Sequence, residues 1–204
     1  ESMSVWKDVD GILNADPKVF PDAVQIAELN YLDTIELAYS GAQIIHPKTI
    51  KPLQNKNIPL YVRPFGDKRK PGTVIRRMSA PIEVPILILK KDQVLLTIRS
   101  RDFSFVLEEK FAAIFSLLER YRIKVNLVHN SAVNLSLCVD NSWHIDEAIQ
   151  ALRNEEFDVM KVENMELLTI RGYNGDLMER YASGPEVFLL QRTQSTARIV
   201  RKNR

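Results

Sequence analysis

Apolar and polar positions switch between a two-residue and a three-to-four-residue period along this chain, and the switches mark out its elements. Residues 5–9, led by Val5 and Trp6, suit a short buried strand. The turn dipeptide Asp10-Gly11 closes it, because glycine takes a positive φ at no steric cost. Asp16-Pro17 imposes an extended or turn geometry further on. Residues 32–40 read as a helix, with Asn30 placed to cap it, Asp33 at the third position of a capping-box pattern and Gly41 at its end. His46-Pro47 opens a second helix running to about residue 55, with proline in a tolerated first-turn position and His46 as a cap rather than a base. Residues 59–62 read as a strand. The stretch 67–85 carries Pro71, Pro81 and Pro85 and five Lys or Arg, and is expected to be a linker.

Beyond Pro85 the pattern is α+β. Residues 86–89 and 94–98 form two apolar strands with a polar turn expected at 90–93. Phe111, Ile114, Phe115, Leu117, Leu118 and Tyr121 recur at helical spacing, which predicts a helix over 107–122. Strands at 123–128 and 133–139, a helix at 145–154 and a strand at 157–162 complete a ferredoxin-like βαββαβ unit. The remainder offers a strand at 167–173, a helix at 177–182 and strands at 187–190 and 197–200. That set is one strand short, and residues 86–89 are left over to supply it. The pattern therefore predicts two ferredoxin-like units, the first (93–164) inserted into the second (86–92 and 165–204).

Composition narrows the functional classes. In 204 residues, 45% are apolar and 26% charged, ordinary for a globular protein with one large or two small domains. The net charge is +2, and the clusters Lys68-Arg69-Lys70, Arg76-Arg77 and 198–204 lack interleaved aromatics, so nucleic acid is not an expected partner. No apolar run approaches the length of a membrane span, and no signal peptide is visible. The single cysteine, Cys138, allows no internal disulfide, which fits a cytoplasmic setting. His129 and His144 have no ligand partners at metal-binding spacing, so no metal site is expected.

Five short motifs, taken in order, point to a family. Asp8-Val9-Asp10-Gly11-Ile12 followed by Ala15-Asp16-Pro17-Lys18 resembles "TDVDGIYTADPR". Phe20-Pro21-Asp22-Ala23 resembles "VPDA", Glu36-Leu37-Ala38-Tyr39-Ser40-Gly41-Ala42 resembles "ELAYFGAK", His46-Pro47-Lys48-Thr49-Ile50 resembles "LHPRTI" and Pro71-Gly72-Thr73-Val74-Ile75 resembles "PGTLI". On these the chain is identified as a member of the aspartokinases, within the amino-acid kinase family. Leu95-Leu96-Thr97-Ile98 and Leu167-Leu168-Thr169-Ile170 resemble the paired "LLTI" strands of their tandem ACT domains.

The resemblance implies the C-terminal part of an amino-acid-kinase-type α/β domain (1–66), the linker (67–85) and two ferredoxin-like ACT domains. The seven glycines include neither GxGxxG nor GxxxxGK, and the family's N-terminal lysine-glycine motif does not appear, so the chain resembles a fragment, inactive alone. It implies phosphoryl transfer from ATP, with Mg²⁺, to the β-carboxylate of aspartate by the parent enzyme. Family positions that hold ATP fall on Lys7, Asp8, Leu13, Lys18 and Gln43. Lys18 stands for an arginine, Leu13 for an aromatic residue and Gln43 for the lysine of "GAK", which removes one positive charge near the phosphates. The resemblance also implies an amino-acid effector, lysine or threonine, held between the first ACT strand-to-helix loop and the second strand of a partner in a homodimer. Here those positions are Asp102, Ser104, Phe105, Val106, Asn126, Asn130 and Ser131. Against the lysine-sensitive pattern "SVDLITTSE", Asn126 replaces an aspartate and Ala132 a glutamate, so two anionic acceptors are lost. A non-catalytic amino-acid sensor is the alternative.

Overall fold

The computed structural model describes residues 1–42, 45–78, 84–102 and 108–203. They divide into two compact units, one of residues 1–89, 169–181 and 192–197 and one of residues 90–168, 182–191 and 198–204.

The first unit is built on strands β1 (Met3–Lys7), β2 (Glu28–Leu29), β3 (Leu60–Pro64) and β4 (Thr73–Ile75), in sheet order β1-β3-β4-β2. β1 runs parallel to β3, pairing Met3 with Leu60 and Lys7 with Pro64, while β4 is antiparallel to β3. Helices α1 (Tyr31–Ser40) and α2 (Pro47–Lys56) form as their capping residues dictate. The Asn30 side chain accepts the Asp33 N–H at 2.6 Å, and Gly41 ends α1 at φ 113°. His46 caps α2, its Nδ1 accepting the Lys48 N–H at 3.2 Å. Leu29, Leu37, Ile50, Leu60, Val62 and Ile75 make the core, with Ile86 and Ile88 packed among them. β4 lies inside the stretch expected to be a linker. Three residues are too few for a period to show, and the Pro71-Gly72 that precedes them reads as a loop signal. Gly72, at φ +71°, is what admits the strand: a Cβ there would stand 2.0 Å from the Val62 carbonyl oxygen.

The remaining elements are β5 (Ile86–Ser100), α3 (Glu108–Arg120), β6 (Val125–Asn130), β7 (Asn134–Asp140), α4 (Ile145–Asn154), β8 (Phe157–Arg171), α5 (Gly175–Ala182), β9 (Val187–Arg192) and β10 (Thr196–Lys202). Their strands form one sheet in the order β6-β7-β5-β8-β10-β9. In the second unit, Val94, Leu96 and Ile98 of β5 and Leu135, Leu137 and Val139 of β7 turn one way, onto Ile114 and Leu118 of α3 and Ile145, Ile149 and Leu152 of α4. The alternate positions Leu95 and Cys138 turn the other way, into a smaller cluster with Leu127, Met165, Leu167 and Val200.

The polar turn expected at 90–93 is absent, because β5 runs through it unbroken, as β8 does through the gap expected between its two halves. Asp92 (φ 54°) and Asn164 (φ 58°) each absorb the irregularity in one left-handed residue, a conformation Asp and Asn tolerate.

Candidate functional site

At the carboxyl end of β1 the chain bends through residues 8–11 and lines one wall of a cavity of about 460 Å³. Strand ends of this kind are where α/β sheets collect ligand groups. Lys7, Gly11, Leu13 and Asp16 stand on this wall, Gly41 and Ala42 follow the end of α1, and Leu87 and Leu89 come from β5. Asn14 holds the β5 side in place: its carbonyl accepts the Leu87 N–H at 2.8 Å and its Nδ2 donates to the Pro85 carbonyl at 2.9 Å.

The bend itself is fixed from below. Thr73 Oγ1 accepts the Ile12 N–H at 2.8 Å and donates to the Ile26 carbonyl at 2.6 Å, with Thr73 fully buried. Gln25 Nε2 donates to the carbonyls of Asp10 and Gly72 at 3.1 and 2.9 Å. Both side chains crowd Gly11, where a Cβ would lie 2.6 Å from Gln25 Nε2 and 2.8 Å from Thr73 Oγ1. Lys70 Nζ pairs with Asp10 Oδ2 at 2.6 Å on the exposed side.

Of the residues expected to hold ATP, Lys7 and Leu13 line the cavity. Asp8 and Lys18 are exposed and outside its lining, the Lys18 N–H donating to Asp16 Oδ1 at 2.9 Å. Gln43 lies outside the described residues, next to the lining residue Ala42. Asp16 and the β5 face (Ile86–Leu89) were not among the expected residues. Asp16 was legible in the Asp-Pro motif, whereas the approach of β5 depends on contacts some 70 residues apart in sequence.

The expected effector positions fall at two ends of the second unit's sheet. Asp102 Oδ1 accepts the Ser100 hydroxyl at 2.6 Å and lies 3.5 Å from Lys110 Nζ. Asn130 ends β6, and the Ser131 N–H donates to the Asn134 carbonyl at 2.8 Å. Asn126 sits at the opposite end, inside a network with Lys90, Gln93 and Asp140. The register pairs Gln93 with Asp140 and Arg99 with Asn134, so roughly 20 Å of strand separates the two groups. Ser104, Phe105 and Val106 lie outside the described residues.

Burial would push the Asp140 carboxyl up, but hydrogen bonds from Gln93 and Asn126 and the Lys90 charge outweigh it and hold it below the usual carboxylate range. Burial and the Asp140 charge push the Cys138 thiol up to about 12. Among the described residues no group of side chains is arranged to hold a metal ion, and no helix is long and apolar enough to cross a membrane.

The model of the Amino acid kinase family matches residues 1–64. Aspartokinase 3, chloroplastic, of Arabidopsis thaliana is 37% identical over 147 residues, covering 69% of this chain and 25% of the relative. Lysine-sensitive aspartokinase 3 of Escherichia coli is 31% identical over 194 residues, covering 91% of this chain and 42% of the relative. The crystal structure of E. coli aspartokinase III in complex with lysine and aspartate superposes with a TM-score of 0.75 at 25% identity, over 98% of this chain and 48% of that one. This chain thus spans less than half the length of each. The order of motifs, the kinase-type sheet with its cavity and these relatives agree: the chain belongs to the aspartokinase family.

Proposed function

We propose that this chain is the regulatory C-terminal part of an aspartokinase, joined to the end of its kinase domain. The whole enzyme would phosphorylate L-aspartate to 4-phospho-L-aspartate with ATP, at the entry to lysine, threonine and methionine biosynthesis. The observation that carries this reading is the cavity at the end of β1, whose wall is the same Asp-Gly and Asp-Pro segment that carries the family resemblance. Phosphoryl transfer asks a protein chiefly for positioning and positive charge around the phosphates. Bound Mg-ATP would supply the transferable phosphoryl group. Lys7 would contribute charge, Leu13 an apolar surface for the base and the Gly11 bend a close backbone approach. Asp8 and Lys18, exposed beside the cavity, and Gln43 complete the nucleotide-binding set that the resemblance implies.

Two interleaved ferredoxin-like ACT domains are supported by the strand order, since β8-β5-β7-β6 is the order of one βαββαβ unit and β5-β8-β10-β9 that of a second sharing the two long strands. The proposed division is 86–92 with 165–204 for one domain and 93–164 for the other. Separation of Asn126 from Asp102 along the sheet favours an effector site completed by a second copy, because one chain cannot bring both to a single amino acid. The lysine sensitivity of E. coli aspartokinase 3 and the lysine complex of E. coli aspartokinase III favour an amino acid as that effector. The lone buried Cys138 favours a reducing, cytoplasm-like compartment.

A thermal-shift titration with Mg-ATP, lysine, threonine and methionine separately tests the reading. A ligand at about one hundred times its Kd stabilises by about 2.7 kcal/mol. A shift with Mg-ATP supports a nucleotide site; a shift with an amino acid alone supports the second reading, a non-catalytic sensor, which Leu13 and Gln43 favour. No shift with any of the four refutes both.

A further inference from the structure

The second unit holds a polar cluster that the phosphoryl-transfer chemistry does not use. Asp140 Oδ1 accepts from Asn126 Nδ2 at 2.6 Å, from Gln93 Nε2 at 2.9 Å and from Lys90 Nζ at 3.2 Å. Lys90 Nζ also donates to Asn126 Oδ1 at 2.8 Å, and Asn126 Nδ2 to Gln93 Oε1 at 2.7 Å. Asn126 and Gln93 are buried, and the Lys90 side chain keeps only 17% of its surface exposed.

The charge count decides what this cluster can take. Lys90 contributes one positive charge, Asp140 one negative, and Asn126, Gln93 and the protonated Cys138 none, so the cluster is neutral. Arg198 adds a positive charge close enough to act on the Cys138 thiol. The second, side-chain ammonium of a cationic amino acid would meet a carboxylate already neutralised and an amide oxygen that already accepts from Lys90. It would also have to displace a lysine tethered to β5, which competes at the high effective concentration of an intramolecular group. Like charges brought together in such a site repel each other.

We infer that Lys90 is an internal counter-cation that sets the charge class of the effector: the half-site around Asn126 admits a neutral amino acid and refuses a cationic one. This deepens the effector reading above and rests on it.

The test is calorimetric and thermal-shift titration of the chain with L-lysine and with the neutral L-threonine and L-methionine, in wild type, Lys90→Met and Asn126→Asp. Each substitution lowers the net charge of the cluster by one unit by a different route, and Asn126→Asp keeps Lys90 in place should Lys90→Met fail to fold. A neutral amino acid is expected to bind wild type with lysine inert, and lysine binding should tighten about tenfold or more in the variants. Lysine binding wild type as tightly as the variants overturns the role of Lys90, as does a folded variant that gains no lysine affinity while a neutral amino acid still binds. No response of any of the three proteins to any amino acid removes the effector reading itself, and the inference with it.

Discussion

The Arg171 guanidinium holds the Asp33 carboxylate across 138 positions of sequence, Nε donating to Oδ1 at 2.6 Å while Nη2 pairs with the same oxygen. Arg171 also reaches Thr196 Oγ1 at 3.2 Å, so the last residue of β8 is tied both to the first turn of α1 and to β10. Asp33 takes the pair while standing in the capping box with Asn30, which makes one carboxylate serve a helix end and a strand end together.

Removing one partner should therefore cost far more than an exposed ion pair would. The side chains are 20% and 8% exposed, and a lone buried charge is left behind. Arg171→Met is expected to destabilise by about 3 kcal/mol in urea unfolding, and Asp33→Asn together with Arg171→Met by less than the sum of the single changes.

Gly72→Ala should be among the most damaging single changes in the first unit. The new methyl would meet the Val62 carbonyl at 2.0 Å with φ at +71°, and β4 would have to leave its place beside β3. A loss of about 3 kcal/mol or more is expected. Gly66→Ala, with no atom within 4 Å of the new Cβ, serves as the control and should change stability by under about 0.5 kcal/mol.

Thr73→Val keeps shape but leaves the Ile12 N–H and the Ile26 carbonyl without their buried partner. The expected cost is about 2 kcal/mol, and Thr73→Ser should recover most of it. Since Ile12 lines the cavity, Thr73→Val should also weaken binding of a fluorescent ATP analogue, whereas unchanged binding would separate the bend from the nucleotide.

Cys138 makes the protein sensitive to alkali. The folded thiol ionises near 12, the unfolded one near its ordinary value of about 8.5. Between these limits the unfolded chain has released a proton that the folded chain keeps, so stability falls as pH rises. The full contribution is present below about 8.5, and the slope above it is at most about 1.4 kcal/mol per pH unit. Cys138→Ala should flatten that slope in denaturation curves, and iodoacetamide should label Cys138 in unfolded but not native protein at pH 8.

Much of the architecture could be read from single positions. Asn30, Asp33 and Gly41 bound α1, and His46-Pro47 starts α2, because caps act through their nearest neighbours in the chain. The apolar spacing Ile145, Ala148, Ile149, Leu152 placed α4 at 145–154, matching its observed span. The turn signal at 90–93 misled, because Lys-Lys-Asp-Gln is also compatible with a strand carrying one left-handed aspartate. The loop-like composition of 67–85 concealed β4 for the same local reason.

The candidate site was legible only in part. Lys7 and Leu13 belong to a contiguous motif and do line the cavity, but Asp8 and Lys18 of the same motif turn to solvent. Side-chain direction along an irregular bend follows from what holds the bend, here Thr73 and Gln25, and no periodicity reports on that. Asn126 was recognisable as a substituted position, whereas its capture by Lys90 was not.

The family, the kinds and order of most elements and the residue types of the bend after β1 could be read from the chain alone, because these rest on short motifs, caps and spacing within a few residues. Tertiary structure alone decided that β4 enters the sheet, that β5 closes the cavity against Asn14, that Arg171 finds Asp33 and that Lys90 neutralises Asp140. Each of these joins groups tens of residues apart or more, and such meetings are set by strand register and packing of the whole core, which no local pattern encodes.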